Sequence, residues 1–140
     1  MIGKYWEHFS NDAGVGVRGV GATIEEAFEQ TAIALTQAIT DPKDVAPLEE
    51  VDFDFEAPDN DLLLAEWLNV LVRQMAAKRM LFSRFDVKIS GNQLQATAWG
   101  EGADNERHRL AVEVKNATHK NLQVRQDETG TWLAQCVVAV

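Results

Sequence analysis

The sequence predicts an α+β protein, a two-layer sandwich in which two amphipathic helices lie on one face of a largely antiparallel sheet. Two stretches show helical spacing of apolar residues and begin with capping residues. The shorter segments around them alternate between polar and apolar residues, as half-buried strands do. Most of these strands follow one another directly, which favours antiparallel pairing. A chain of 140 residues indicates one domain, residues 1–140.

The predicted elements, in chain order, are strands at 5–9 and 15–20, a helix from 23 to about 39, a strand at 49–56, a helix that starts at 58–61, and strands at 81–90, 93–100, 110–115, 119–126 and 132–140. Thr23 and Glu26 form a capping box at the start of the first helix. Asp59 and Asp61 suit the positive end of the second helix. Gly91-Asn92 indicates a hairpin, and residues 101–109 form a charged loop.

The helices carry the predicted core. Phe28, Ala32, Leu35 and Ile39 form the apolar face of the first helix, and Trp67 is the largest residue on the stripe of the second. Apolar residues make up 46% of the chain, which is ordinary for a globular protein and sufficient for a core.

The net charge of −9 limits the partners of this chain. An acidic surface repels the phosphate backbone, and the basic residues are scattered, so we expect no direct nucleic-acid binding. A protein partner or a cation fits this charge better. No apolar run is long enough for a membrane span, and the N-terminus lacks the apolar stretch of a signal peptide. The single cysteine, Cys136, is interpreted as a small apolar strand residue in a reducing, cytoplasmic location.

Two familiar kinds of site have weak support in the sequence. The glycines from Gly14 to Gly19 match G-x-G-x-x-G, but they lie within an alternating segment and no helix opens directly after them. His8, His108 and His119 do not have the spacing of zinc ligands, and we interpret them as surface or half-buried polar residues. No serine or cysteine has the local signature of a catalytic nucleophile.

Acidic residues offer a candidate cation site. Asp52, Asp54 and Glu56 project from one face of a strand, and a hard cation with oxygen ligands would relieve their repulsion. A solvated strand face explains the same pattern and is favoured. A hydrolase that uses Asp52 and Asp54 is a minor alternative. The acids of the charged loop receive the same interpretation as a solvated face: Glu101, Asp104 and Glu106.

Two further features point to a surface with a role. Glu113 and Lys115 project together from a predicted strand, either as an exposed pair of little energetic value or as a polar surface for a partner. The chain also stays apolar up to Val140, which predicts a docked final strand with its terminal carboxylate held in place.

Eight segments stand out by their order and spacing along nearly the whole chain: 6–9, 15–19, 23–30, 66–69, 81–85, 98–101, 112–118 and 134–138. Together they resemble the archease family. The resemblance implies an accessory protein and not an enzyme. It would assist an RNA-splicing ligase by promoting guanylylation and turnover of the ligase in tRNA splicing or RNA repair. The alternative is a chaperone-like binding module or a modulator of a tRNA modification enzyme that no longer binds metal.

The resemblance also implies a small site for a divalent metal, and this chain departs from it there. The two family aspartates align with Gly14 and Ala139, a family histidine with Asn11, and a usual tyrosine with His119. Loss of two carboxylates weakens calcium or magnesium binding, so we expect a weak or absent site.

A substitute set of ligands is the remaining candidate for a metal site. It comprises Asp12 and the Val140 carboxylate, with Glu113 as a third ligand. Glu113 and Lys115 are the candidate partner-binding residues.

Overall fold

A computed structural model of the protein describes residues 3–104 and 108–140. Within them the chain forms two α-helices, a short 3₁₀ helix (Pro42–Asp44) and eight strands. The elements are β1 (Tyr5–Asn11), β2 (Gly14–Gly21), α1 (Ile24–Ile39), β3 (Glu49–Glu56), α2 (Asn60–Lys78), β4 (Met80–Ser90), β5 (Gln93–Gly102), β6 (Asn116–Ala117), β7 (Gln123–Gln126) and β8 (Trp132–Ala139). The prediction of an α+β fold with two helices is confirmed.

The strands form two sheets, and every pairing among the described residues is antiparallel. The larger sheet has the order β1-β2-β8, and both β6 and β7 pair with the other edge of β8. The smaller sheet has the order β3-β5-β4. Antiparallel pairing was predicted, but the division into two sheets was not, because alternation identifies strands without identifying their partners.

Helix α1 begins at the predicted capping box. The Thr23 hydroxyl accepts the Glu26 N–H at 3.1 Å, and the Glu26 carboxylate reaches back to the Ala22 N–H at 2.8 Å. These bonds satisfy two backbone donors at the helix start, which would otherwise have no partner within the helix. The predicted apolar face, from Phe28 to Ile39, is buried.

Helix α2 places Trp67 at the centre of the core. The indole is fully buried, and its Nε1–H donates to the Phe28 carbonyl at 3.1 Å, which connects the two helices. The rings of Phe53 and Phe85 meet it edge to face. Burying this side chain contributes roughly 2–3 kcal/mol, and its polar N–H is satisfied at the same time.

Helix α1 also protects the free edge of β4. The Glu29 carboxylate accepts the Val87 N–H at 2.8 Å, and the Thr36 hydroxyl donates to the Phe82 carbonyl at 2.9 Å. The helix therefore supplies side-chain partners where a further strand would otherwise pair. Among the described residues, neither helix is sufficiently long and apolar to cross a membrane.

One predicted strand is wrong and another is too long. Residues 110–115 form no strand, although Val114 is buried as its alternation suggested. Two isolated hydrogen bonds hold this segment: the Ala111 N–H donates to Ile39 and the Lys115 N–H to Ala139, each at 2.8 Å. The segment is thus fixed at separate points and does not run along a neighbour. The strand predicted at 119–126 starts only at Gln123.

Candidate functional site

The turn between β1 and β2 and the end of β8 lie side by side in the larger sheet. Antiparallel pairing of β2 with β8 sets Val15 opposite Val138, and the β1–β2 turn sets Asn11 opposite Gly14. The turn therefore lies beside the last residues of β8. We call this region, residues 11–14 with 138–140, the terminal joint.

Gly14 lies directly against the end of β8 in the terminal joint. A Cβ atom added to this glycine would overlap the carbonyl oxygen of Val138 and would lie 3.2 Å from the Ala139 Cα. The two positions that the family resemblance singles out are thus neighbours in space, although they are far apart in sequence. Such contact between two strands requires a residue without a side chain.

The segment that carries the predicted partner-binding pair reaches the same region. The Lys115 N–H donates to the Ala139 carbonyl at 2.8 Å, and Asn116 pairs with Ala139 as part of β6. Both Glu113 and Lys115 are exposed. Glu113 also lines an apolar groove of about 590 Å³ between this segment and the end of α2, where Met75 and Arg79 form part of the opposite wall.

Positions 14 and 139 of the terminal joint do not fit the divalent metal that the resemblance implies. Gly14 offers no side-chain donor, and Ala139 offers only a methyl group. In residues 3–104 and 108–140, no group of three or more His, Cys, Asp or Glu side chains is arranged to hold a metal ion. Asp12 and Val140 are both exposed, and a metal site at Asp12 and the terminal carboxylate stays a prediction.

The acids of β3 are exposed and already have neighbouring donors. The Thr97 hydroxyl donates to Asp52 and the Gln93 amide donates to Asp54, each at 2.8 Å. Asp52 and Asp54 line a shallow depression of about 340 Å³ on the smaller sheet, together with Lys88. These contacts favour a solvated strand face, since water and the neighbouring side chains satisfy the carboxylates.

A buried polar pair was missed by sequence reasoning. His108 and Glu101 are 1% and 5% exposed, so the prediction of a surface or half-buried position for His108 is wrong, and so is the prediction of a solvated face for Glu101. His108 Nδ1 accepts the Asp104 N–H at 2.9 Å, so its proton lies on Nε2, which faces Glu101 Oε2 at 3.2 Å. The same carboxylate oxygen accepts the Ala46 N–H at 2.7 Å.

Glu101 lies at the end of β5, and it contacts both His108 and the backbone of Ala46. The pair is therefore connected to the loop that precedes β3. Nothing in the composition of the charged loop distinguishes its buried residues from its exposed ones. Asp104 is exposed, as was predicted. Glu106 lies outside the described residues.

Arg18 was also missed. Its Nε–H donates to Gln135 at 2.9 Å, its Nη1–H to Glu7 at 2.7 Å, and its guanidinium lies over the Phe9 ring at 4.8 Å from the centroid. One side chain therefore ties three adjacent strands. The registers of β1, β2 and β8 bring these residues together, and this information is absent from the local sequence.

The remaining candidates for functional residues lie within strands or on the protein surface. The glycine-rich segment is strand β2, not a phosphate-binding loop, and a Cβ at Gly19 would overlap the backbone of α1. Cys136 is fully buried in β8, as predicted, and burial raises the pKa of its thiol to about 12. His8 and His119 are exposed, and His8 Nε2 lies 2.8 Å from the Ala34 carbonyl.

The fold and the terminal joint together define a small α+β protein in which the β1–β2 turn lies beside the end of the last strand. The family model described as Archease protein family (MTH1598/TM1083) matches residues 6–140. The chain belongs to the archease family.

Curated relatives and solved structures agree with this assignment. Protein archease of Pyrococcus abyssi is 36% identical over 138 residues, which cover 96% of this chain and 97% of the relative. The solution structure of Methanobacterium thermoautotrophicum protein 1598 is 31% identical, covers 96% of this chain and 98% of its own, and superposes with a TM-score of 0.83.

A Thermotoga maritima crystal structure, described as an archease and possible chaperone, has the same fold, with a TM-score of 0.66, 16% identity and 96% of each chain covered. The names of these relatives describe no enzymatic activity, in agreement with the prediction that the chain is not an enzyme.

Proposed function

We propose that this protein is an accessory factor of an RNA-splicing ligase, and that it promotes guanylylation and turnover of the ligase in tRNA splicing or RNA repair. Membership of the archease family over residues 6–140 is the observation that supports the proposal most. The proposed partner is the ligase protein itself, not its RNA substrate. A divalent cation contributes weakly or not at all.

The charge of the chain supports a protein partner. A net charge of −9 disfavours contact with the phosphate backbone, because affinity for nucleic acid depends on lysine and arginine contacts that release counterions. An acidic protein that acts on a basic RNA-binding enzyme avoids this repulsion, and complementary charge would speed their encounter.

The proposed contact surface comprises the terminal joint and the segment from Glu113 to Lys115. The two side chains are exposed and carry opposite charges, so they can pair with charges on a partner without first breaking a buried contact. The backbone of Lys115 is anchored on Ala139, which holds this surface to the end of β8.

The test measures the rate at which the RNA-splicing ligase of the same organism becomes guanylylated, with and without this protein. We expect faster guanylylation and repeated turnover when the protein is present. The double charge reversal Glu113→Lys with Lys115→Glu should weaken the effect at least several-fold. The matched control, Glu56→Lys with Lys88→Glu, reverses exposed charges on the smaller sheet and should leave it unchanged.

An unchanged guanylylation rate with the wild-type protein would contradict the proposal. Equal losses in the two double variants would leave the accessory role intact but would reject residues 113–115 as the contact surface.

A chaperone-like role is the second candidate. The Thermotoga maritima structure is described as a possible chaperone, which favours a protein that binds other proteins. On this alternative, the chain is a binding module, or a modulator of a tRNA modification enzyme, that no longer binds metal. Protection of such an enzyme from aggregation, together with no effect on a ligase, would distinguish the two functions.

A further inference from the structure

We infer that the terminal joint is closed by direct backbone packing, and that this packing replaces the divalent cation which the family resemblance implies at the same place. The inference concerns the stability and ligand requirement of the joint and does not rest on the proposed function. Three features of the structure lead to it.

The first feature is the donor set. Calcium and magnesium are held by several oxygen ligands, and the number of charged ligands largely determines affinity. Positions 14 and 139 supply no side-chain oxygen, and the described residues contain no acidic or histidine cluster that could replace them. A cation at the joint would therefore lose its hydration without adequate compensation.

The second feature is the space at Gly14. The backbone of β2 approaches β8 so closely that a Cβ would overlap the Val138 carbonyl oxygen. A side chain can be placed at position 14 only if the backbone shifts, either at the glycine itself or at the end of β8. The glycine therefore does more than remove a ligand, because the volume that the side chain would need is filled by the backbone of β8.

The third feature is that protein groups on both sides hold the end of β8. On one side it pairs with β2, and on the other the Lys115 N–H bonds to Ala139. Thr118 donates its hydroxyl and its N–H to the Val137 carbonyl at 2.7 and 2.9 Å. The Asn11 carboxamide accepts the Ala13 N–H at 2.8 Å and so shapes the turn.

The first experiment measures calcium and magnesium binding to the full-length wild-type protein by isothermal titration calorimetry, and thermal unfolding in EDTA and in millimolar calcium chloride. We expect no saturable heat and the same melting temperature in both solutions. Saturable calcium binding at micromolar concentration, with a melting temperature that rises with calcium, would overturn the inference, because a ligand specific to the folded state must stabilise it.

The second experiment tests the packing at Gly14. Gly14→Ala should lower the melting temperature by about 5–10 °C, because the added methyl group overpacks the contact with β8 and because the φ of 158° at Gly14 is unfavourable for a residue with a side chain. Gly102→Ala is the control for an added Cβ in open space, because it changes a strand glycine without a positive φ and the new atom meets only one neighbour, at 4.0 Å. Equal melting temperatures for the two variants would overturn the inference.

The third experiment restores both acids. Gly14→Asp with Ala139→Asp should fall in melting temperature like Gly14→Ala and should not acquire tight calcium binding. A double variant that keeps the wild-type melting temperature and binds calcium tightly would show that the joint can open at no cost, and the inference would then be wrong. If the double variant does not fold, the wild-type titration still decides the question.

Discussion

Asn69 and Ala117 are joined by two hydrogen bonds that imitate strand pairing. The Asn69 Oδ1 accepts the Ala117 N–H at 2.8 Å, and the Asn69 Nδ2 donates to the Ala117 carbonyl at 3.4 Å. A single side chain on α2 thus satisfies both backbone groups of a residue in β6. Because β6 pairs with the end of β8, helix α2 supports the terminal joint from the side opposite to β2.

Asn69→Ala should destabilise the protein by about 1–3 kcal/mol, because the buried backbone groups of Ala117 lose their partners. Amide exchange should also become faster at residues 115–118. Urea denaturation and hydrogen–deuterium exchange measure the two effects.

Glu66→Ala is the control for this prediction. It removes an exposed ion pair with Arg73 on the same helix and should cost no more than about 1 kcal/mol. Unchanged amide exchange at residues 115–118 in the Asn69→Ala variant would show that the two hydrogen bonds between Asn69 and Ala117 do not stabilise β6.

His108→Phe should lower the free energy of unfolding by about 1–3 kcal/mol. The phenyl ring can neither accept the Asp104 N–H nor donate to Glu101, so the variant loses both hydrogen bonds at a buried site. His119→Phe makes the same chemical change at an exposed position and should stay within about 0.5 kcal/mol of the wild type. Chemical denaturation of both variants provides the comparison. Equal stabilities would contradict a structural role for the buried pair.

The stability contributed by Glu29 should depend on pH. Burial raises the pKa of this carboxyl above its ordinary value, and the Asp86 charge adds to the effect, whereas the hydrogen bond from the Val87 N–H opposes it. The folded protein therefore binds this proton more tightly than the unfolded chain does. The resulting stability is present at low pH and is lost as pH rises from the ordinary carboxyl value, about 4.3, through the raised one.

Glu29→Gln isolates this effect because glutamine can still accept the Val87 N–H but does not titrate. As pH rises through that acidic window, the wild type should lose stability relative to the variant, and above it the difference should become constant. Urea denaturation at a series of pH values measures this. A difference that does not change with pH, or that changes in the opposite direction, would contradict the prediction.

Cys136 should be inert in the folded protein. Burial removes the thiol from reagents and raises its pKa to about 12, and the thiolate is the reactive form. With a chromogenic disulfide reagent at mildly alkaline pH, the native thiol should react at least about a hundredfold more slowly than a thiol at the exposed end of β4, introduced by Ser90→Cys. If both thiols of the Ser90→Cys protein react in a single fast phase, Cys136 is accessible and the prediction is wrong.

Much of the local structure could be predicted because it depends on neighbours in the sequence. The capping box of Thr23 and Glu26 and the Gly91-Asn92 turn each act over a few residues. The stripe around Trp67 needs only the helical period to be recognised. The proximity of Gly14 and Ala139 could be suspected only through the family resemblance, which orders the segments without measuring the distance between them.

The predictions were wrong where a backbone group or a side chain has its partner in another part of the fold. The strand predicted at 110–115 satisfies the rule of alternation, yet its segment bonds to Ile39 and Ala139 at single points. Glu101 and His108 belong to a charged stretch that looks solvated, and they are buried because Ala46 and Asp104 supply the matching backbone groups.

The sequence alone was sufficient to predict both helices and their caps, most of the strands, the antiparallel pairing, the acidic surface and the family. These features depend on the spacing of apolar residues, on composition and on the order of segments. The tertiary structure alone decided the division into two sheets, the buried Glu101–His108 pair, the network around Arg18 and the contact of Gly14 with β8. These features depend on register and on packing between residues that are remote in the chain, and no local pattern specifies either.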